Sequence, residues 1–145
     1  MLRGSYLATV DEKGRVKIPA DFLEQLRKGG KKFYVTSASG DHVRIYPMKE
    51  WERIEAELAK RPSYDATKRK FLERANYYGQ VVEVDGQGRL LIPPVLRESA
   101  EMKGEVDVQG ALRYLEVWNH ARFVERLKSN PITAEDEKAF GQLGI

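Results

Sequence analysis

A chain of 145 residues with a formal charge of +3 and no cysteine has the size of one ordinary domain or of two very small ones. Without thiols there is no disulfide framework and no thiolate metal site, which fits a reducing compartment. No apolar stretch approaches the length of a membrane span, and the start Met1-Leu2-Arg3-Gly4 lacks the apolar run of a signal peptide, so a soluble, cytoplasmic protein is expected.

Arg3 to Val10 alternates loosely, with Tyr6, Ala8 and Val10 on one side, and reads as a strand. Asp11-Glu12-Lys13-Gly14 is turn chemistry: the Asp can bond the backbone two residues on, and Gly accepts a positive φ without steric cost. Arg15 to Ile18 alternates again as a short strand, and Pro19 opens a helix over Ala20 to Lys28 with Phe22, Leu23 and Leu26 on one face. Gly29-Gly30 stops it. Strands follow over Phe33 to Thr36 and His42 to Tyr46, with a polar turn between them. A second helix spans about Met48 to Lys60, its apolar face marked by Trp51, Ile54 and Leu58. Arg61-Pro62-Ser63 breaks it, and Asp65 is the N-cap expected for a basic helix from Ala66 to about Tyr77.

The order then recurs. Gln80 to Val84 and Arg89 to Ile92 are strands around the turn Asp85 to Gly88, and Pro93-Pro94 starts a helix to about Glu101. Glu105 to Val108 and Tyr114 to Trp118 form the next strand pair. Asn119 caps a helix from His120 to about Lys128, and the apolar-poor tail carries at most a short helix near Ala134 to Phe140.

This recurrence is written in the residues themselves. Val10, Asp11, Gly14, Arg15, Ile18 and Pro19 are repeated 74 positions later as Val84, Asp85, Gly88, Arg89, Ile92 and Pro93. The chain is therefore two copies of one small unit: unit 1 over 1–60, a helical connector over 61–79, unit 2 over 80–130, and a tail over 131–145. A unit of that size buries only a modest core alone, so the two are expected to share one or to assemble further. The charge is uneven. Met1 to Tyr78 holds 17 Lys/Arg against 11 Asp/Glu, whereas Gly79 to Ile145 holds 8 against 11. A basic first half points toward a polyanion, although an unevenly charged solvated surface would look the same.

Nothing in the chain assembles a catalytic centre. His42 and His120 lie in different repeat contexts, and neither HExxH nor any other metal-ligand spacing is present, so no metal or cofactor is expected. Phosphate-binding loops of the GxxxxGK[ST] or GxGxxG type and the GxSxG elbow are absent, and a non-enzymatic role is expected. In the repeated turn, Asp11, Gly14, Asp85 and Gly88 are explained by turn geometry, because they repeat where the fold repeats. The arginines are not. Each can pair with the Asp of its own or the other copy, or reach a phosphate or a guanine edge with its planar fork of donors. Copy one adds Lys13 and Lys17 to Arg15, whereas copy two has only Arg89, with Gln87 and Leu91 in place of the lysines.

Arg3-Gly4 followed by Asp-x-x-Gly-Arg-x-x-Ile-Pro twice, about seventy residues apart, resembles the MraZ family of bacterial transcriptional regulators. Each half is similar to the SpoVT/AbrB swapped-hairpin DNA-binding domain. The resemblance covers all but the last dozen or so residues. It implies an α+β fold, in which tandem strand-turn-strand-helix-strand-strand-helix units form a pseudo-twofold small β-barrel with peripheral helices. It further implies a homo-oligomeric ring of several subunits binding short direct repeats in double-stranded DNA. The target would be the promoter of its own division and cell-wall gene cluster, usually for repression in the nucleoid, with a functional link to a methyltransferase encoded nearby. Carried over by position, the DNA contacts are Arg3, Lys13 and Arg15, with Asp11 orienting the turn and Arg89 matching as the motif arginine of copy two. Lys17 lies outside the repeated motif and enters on charge alone. The alternative is an AbrB-type antitoxin-like module whose main partner is a protein, which would need a partner-binding tail.

Overall fold

The computed structural model describes all residues from Met1 to Ile145. Copy one supplies β1 (Ser5–Val10), β2 (Arg15–Lys17), α1 (Ala20–Arg27), β3 (Lys32–Thr36), β4 (Val43–Pro47) and α2 (Met48–Ala59). Helix α3 (Ala66–Tyr78) leads into copy two, with β5 (Gln80–Glu83), β6 (Arg89–Leu91), α4 (Pro94–Ser99), β7 (Gly104–Gly110), β8 (Leu115–Asn119) and α5 (His120–Ser129). Helix α6 (Ala134–Gln142) ends the chain.

Most of these elements start where the residues direct them to. Asp65 accepts the Lys68 N–H at 2.9 Å, and Asn119 accepts the Arg122 N–H at 3.1 Å, which satisfies one otherwise orphaned donor in each helix. Pro19, Pro47 and Pro93 all stand at the N-cap itself, one residue before the first turn, at φ near −53° and ψ near 140°. A proline held at that φ passes the chain from strand to helix with almost no intervening loop.

Most boundaries fall within one or two residues of the periodicity, β1 for example starting at Ser5 instead of Arg3, and three of the differences have a visible cause. Helix α4 stops at Ser99 instead of reaching Glu101: Glu101 adopts φ 50°, and the Met102 N–H turns back to the Arg97 carbonyl at 2.9 Å. Strand β7 extends to Gly110 because β1 and β8 pair it on both sides. Helix α6 runs two residues past Phe140, started by a capping box in which Thr133 and Asp136 bond each other's backbone N–H groups at 3.1 and 2.9 Å.

The eight strands form one antiparallel sheet in the order β5-β3-β4-β8-β7-β1-β2-β6, curled into a nearly closed barrel. Its ends, β5 and β6, touch without forming a ladder. Exchanging β1 with β5, β2 with β6, β3 with β7 and β4 with β8 returns the same circular order, so the barrel carries the pseudo-twofold axis that the family resemblance implies. The copies interleave: β1 lies against β7, β2 against β6, β3 against β5 and β4 against β8. Nineteen buried apolar residues from both copies form the single main core, among them Val16, Ile18, Phe22, Val35 and Ile45 from the first and Leu90, Ile92, Leu96, Val106 and Val117 from the second. A smaller aromatic cluster pins α2 and α3 to the sheet. Trp51 stacks on Tyr34 at 4.5 Å and on Phe71 at 6.1 Å, and Ala75 is buried beneath it. The hydroxyls of Tyr34 and Thr36 donate to the Ala75 carbonyl at 3.1 and 2.7 Å. No helix is long and apolar enough to cross a membrane.

Candidate nucleic-acid interface

The repeated turns are built alike down to single hydrogen bonds. Asp11 accepts the backbone N–H groups of Lys13 and Arg15 on one carboxylate oxygen, both at 2.9 Å, and Arg15 Nε on the other at 2.8 Å. Asp85 does the same for Gln87, Arg89 and Arg89 Nε at 2.9, 3.0 and 3.2 Å. Gly14 and Gly88 hold φ 84° and 75°, the left-handed conformation that a side chain would strain. Because β2 and β6 pair antiparallel about Val16 opposite Leu90, the turns flank the axis, each abutting the C-terminal end of the other copy's short strand. They are stitched by Ile18 N–H to Gly88 carbonyl and Ile92 N–H to Gly14 carbonyl, both 2.9 Å. The two turns and the ladder between them thus form one hydrogen-bonded double turn.

Both carboxyls sit below the usual carboxylate range. For Asp11 the largest cause is the N–H of Arg15 bonded to the ionised form. Partial desolvation opposes it, and the Arg15 side chain and Lys13 N–H add to it. For Asp85 the N–H of Arg89 leads in the same way.

The arginines are where the symmetry fails. Arg89 bonds its own Asp85 through Nε and reaches across to Asp11 with Nη1 at 3.4 Å. Arg15 bonds Asp11 through Nε alone, with no answering contact to Asp85, and no hydrogen bond reaches its terminal amines. The choice left open by the residues is therefore resolved differently in each copy. Arg89 is bound at both ends of its guanidinium, and Arg15 is oriented at one end with the other free. Lys13 is exposed beside it. Lys17 is exposed too, but its ammonium donates to the Gln87 carbonyl at 2.6 Å and so braces the neighbouring turn.

Arg3 is not brought to this place. It precedes β1, whose six residues end at Val10 beside the turn. At about 3.3 Å per residue, Arg3 lies roughly 20–25 Å away along the strand. Conversely, Arg97 was not a sequence candidate and stands directly behind the copy-one turn. A Cβ on Gly14 would collide with its guanidinium. Its Nε is the one buried side-chain polar atom without a partner. The position equivalent to Arg97 is Leu23, which packs over Gly88. The same 74-residue offset that reveals the repeat would have flagged this leucine-to-arginine exchange.

No group of three or more His, Asp or Glu side chains is arranged to hold a metal ion. His42 pairs with Asp41 at 2.7 Å and stacks on Trp118, and His120 pairs with Asp107 at 2.8 Å, so each histidine has a structural partner of its own.

Comparison with known proteins places the chain in context. A family profile described as "MraZ protein, putative antitoxin-like" matches twice, over residues 1–74 and 79–143, and the second match takes in α6. A protein named "Transcriptional regulator MraZ" from Koribacter versatilis is 52% identical over 147 residues, with both chains covered completely. One of the same name from Acidobacterium capsulatum is 49% identical over 146 residues, again with both covered completely. A third, from Shewanella oneidensis, is 33% identical over 140 residues, covering 95% of this chain and 92% of its own.

Proposed function

The chain belongs to the MraZ family, and from that premise we propose that it is a sequence-specific DNA-binding transcriptional regulator that represses its own division and cell-wall gene cluster from within the nucleoid. In this reading several identical subunits form a ring, and each presents its copy-one turn to one of a set of short direct repeats in the promoter. The observation that carries it is the difference between the arginines: Arg15 is aimed by Asp11 through Nε and keeps its terminal amines free, beside exposed Lys13. A guanidinium held that way can address the O6/N7 edge of a guanine in the major groove, while Lys13 neutralises a phosphate. Arg89, tied to two carboxylates, contributes less. Arg3 contacts DNA only outside the turn's own footprint, roughly six or seven base pairs along at about 3.4 Å per base pair. Lys17 supports the double turn first and the phosphate field second. The link to a neighbouring methyltransferase belongs to the same genomic setting.

One turn makes few phosphate contacts and binds weakly. Several turns on one ring, each engaging its own repeat, raise the effective affinity without any new kind of contact. The test is a gel-shift titration of promoter DNA carrying direct repeats, at two salt concentrations. Wild-type protein binds with strong salt dependence, and Arg15→Ala loses about 1–3 kcal/mol per contact while keeping its assembly mass. Unchanged operator affinity for that variant overturns the assignment. The antitoxin-like reading is favoured by one observation, the exposed apolar end of α6. A protein partner captured in place of DNA, with no salt-dependent operator binding, would select it.

A further inference from the structure

Helix α6 is capped but almost wholly exposed. From Asn130 to Ile145 every residue is exposed except partly buried Phe140, and the only side-chain hydrogen bonds of α6 are those of its own capping box. A nine-residue helix is marginal in water by itself. This one nevertheless carries Phe140 and Leu143 three residues apart, on one face, followed by Ile145. Leu143 is 75% exposed and Ile145 83%, and with Leu127 and Ile132 they make up four of the thirteen large apolar side chains left exposed on the whole chain. Phe140, Leu143 and Ile145 fall within six residues at the end of α6, and apolar side chains grouped in that way, unlike ones scattered singly, call for a partner. The other end of α6 is acidic, with Glu135, Asp136 and Glu137 against Lys138.

The second half of α2 and the facing side of α3 leave a groove of about 520 Å³ with the opposite character. Its floor is apolar: Ile54, Leu58 and Phe71, all only partly covered. Its rim holds Arg53, Lys60 and Arg61 against Glu57. The pairs these cations make (Arg53 with Glu50, Lys60 with Glu57, Arg61 with Asp65) lie within one turn of chain, and their cationic ends are about half exposed or more. Exposed pairs of that kind are weak and leave the cations available to a second carboxylate.

We propose that this groove receives α6 of a second copy of the chain, with Phe140 and Leu143 on its apolar floor and Glu135 to Glu137 along its basic rim. The inference rests on the multi-subunit reading above and supplies its contact. An amphipathic helix in an apolar groove, anchored at i and i+3, is a recurrent mode of recognition. Charge complementarity selects this occupant, because α6 opens on Glu135, Asp136 and Glu137 against one Lys138, and the rim carries Arg53, Lys60 and Arg61 against one Glu57. The symmetry fits as well. A helix on one chain and a groove on the next are different patches, so the contact is head-to-tail and propagates until the rotation closes a ring.

The native chain has no cysteine, so introduced thiols report without background. Leu143→Cys and Leu58→Cys chains, mixed and oxidised, are expected to form a disulfide between chains. Phe140→Asp/Leu143→Asp is expected to reduce the mass by light scattering to smaller species while the thermal melt holds, because α6 lies outside the core. Glu135→Lys/Glu137→Lys is expected to weaken assembly, and Lys60→Glu/Arg61→Glu on the mixed partner to restore it. A wild-type monomer at micromolar concentration overturns both this proposal and the ring. An oligomer whose mass ignores the α6 substitutions, with no cross-link, overturns the α6 contact and leaves the ring standing on another interface. A cross-link found only within a chain carrying both cysteines also overturns it, by placing α6 in its own groove. Loss of assembly on adding a different protein that occupies the groove, without the reciprocal charge rescue, overturns it in favour of that partner.

Discussion

At the scale of single residues, the double turn shows how a repeat can hide a division of labour. Asp11 and Asp85 are interchangeable in their backbone bonding, but Asp11 also accepts Arg89 from the other copy. Removing Arg15 therefore removes the guanidinium with free amines, whereas removing Arg89 chiefly loosens the turn. Arg15→Ala is expected to weaken operator binding by more than Arg89→Ala, read from the two gel-shift titrations. The reverse order would place DNA contact in copy two. Gly14 is expected to be intolerant of substitution for two separable reasons. Alanine there must hold a left-handed φ of 84°, a cost of about 1–3 kcal/mol, and its Cβ meets the Arg97 guanidinium. Urea unfolding of Gly14→Ala, Arg97→Ala and the double variant separates them: the double variant regains the steric part and keeps the backbone part, so the effects do not add. The turn carboxyls also make a pH prediction. Their folded values lie below the ordinary carboxylate range near 3.9, so their contribution is complete above that value and is lost as the pH falls through the lowered folded values. Carboxyl resonances of Asp11 and Asp85 should titrate below those of exposed carboxylates, with the double turn unchanged from pH 8 down to 5.

At the scale of elements, capping and apolar spacing account for the helices, and packing accounts for where they settle. Asp65 and Asn119 cap α3 and α5 as their positions before helical runs imply. Asp65→Ala is expected to cost about 0.5–2 kcal/mol in urea unfolding, the usual range for a lost N-cap. Trp51 at 3% exposure joins Tyr34, Tyr46 and Phe71 across three elements. Trp51→Ala should therefore cost about 3–5 kcal/mol and release α3 from the sheet, seen as loss of hydrogen-exchange protection over Ala66–Tyr78. The spacing of Trp51, Ile54 and Leu58 was legible as one apolar face, but it could not say that only Trp51 is buried. That depends on α3, which covers one end of the face and leaves Ile54 and Leu58 on a groove.

At the scale of the molecule, each copy's strands are completed by the other's. A fragment ending at Tyr78 would leave β1 without β7, β2 without β6, β3 without β5 and β4 without β8. Such a fragment is not expected to exist as a folded monomer. Sedimentation and circular dichroism should find it unfolded or paired, and co-expression with residues 79–145 should restore native signal.

Much of this fold is legible in the residues, because most of it is local or repeated. Strand alternation, helix faces, the N-caps and the Asp-x-x-Gly-Arg turn depend on residues within a few positions of one another, and the constant offset of 74 declared two equivalent units. Contacts between residues far apart in the chain are settled by packing alone. Periodicity marks a face but not the strand or helix that will cover it. Thus Arg89 reaching Asp11 across 78 positions, Arg97 lying over Gly14, and Arg3 standing a strand's length from the turn it accompanies in the motif could not be read from spacing. The two arginines hold the same place in the Asp-x-x-Gly-Arg motif, and the carboxylate shared between the copies is what makes their bonding different.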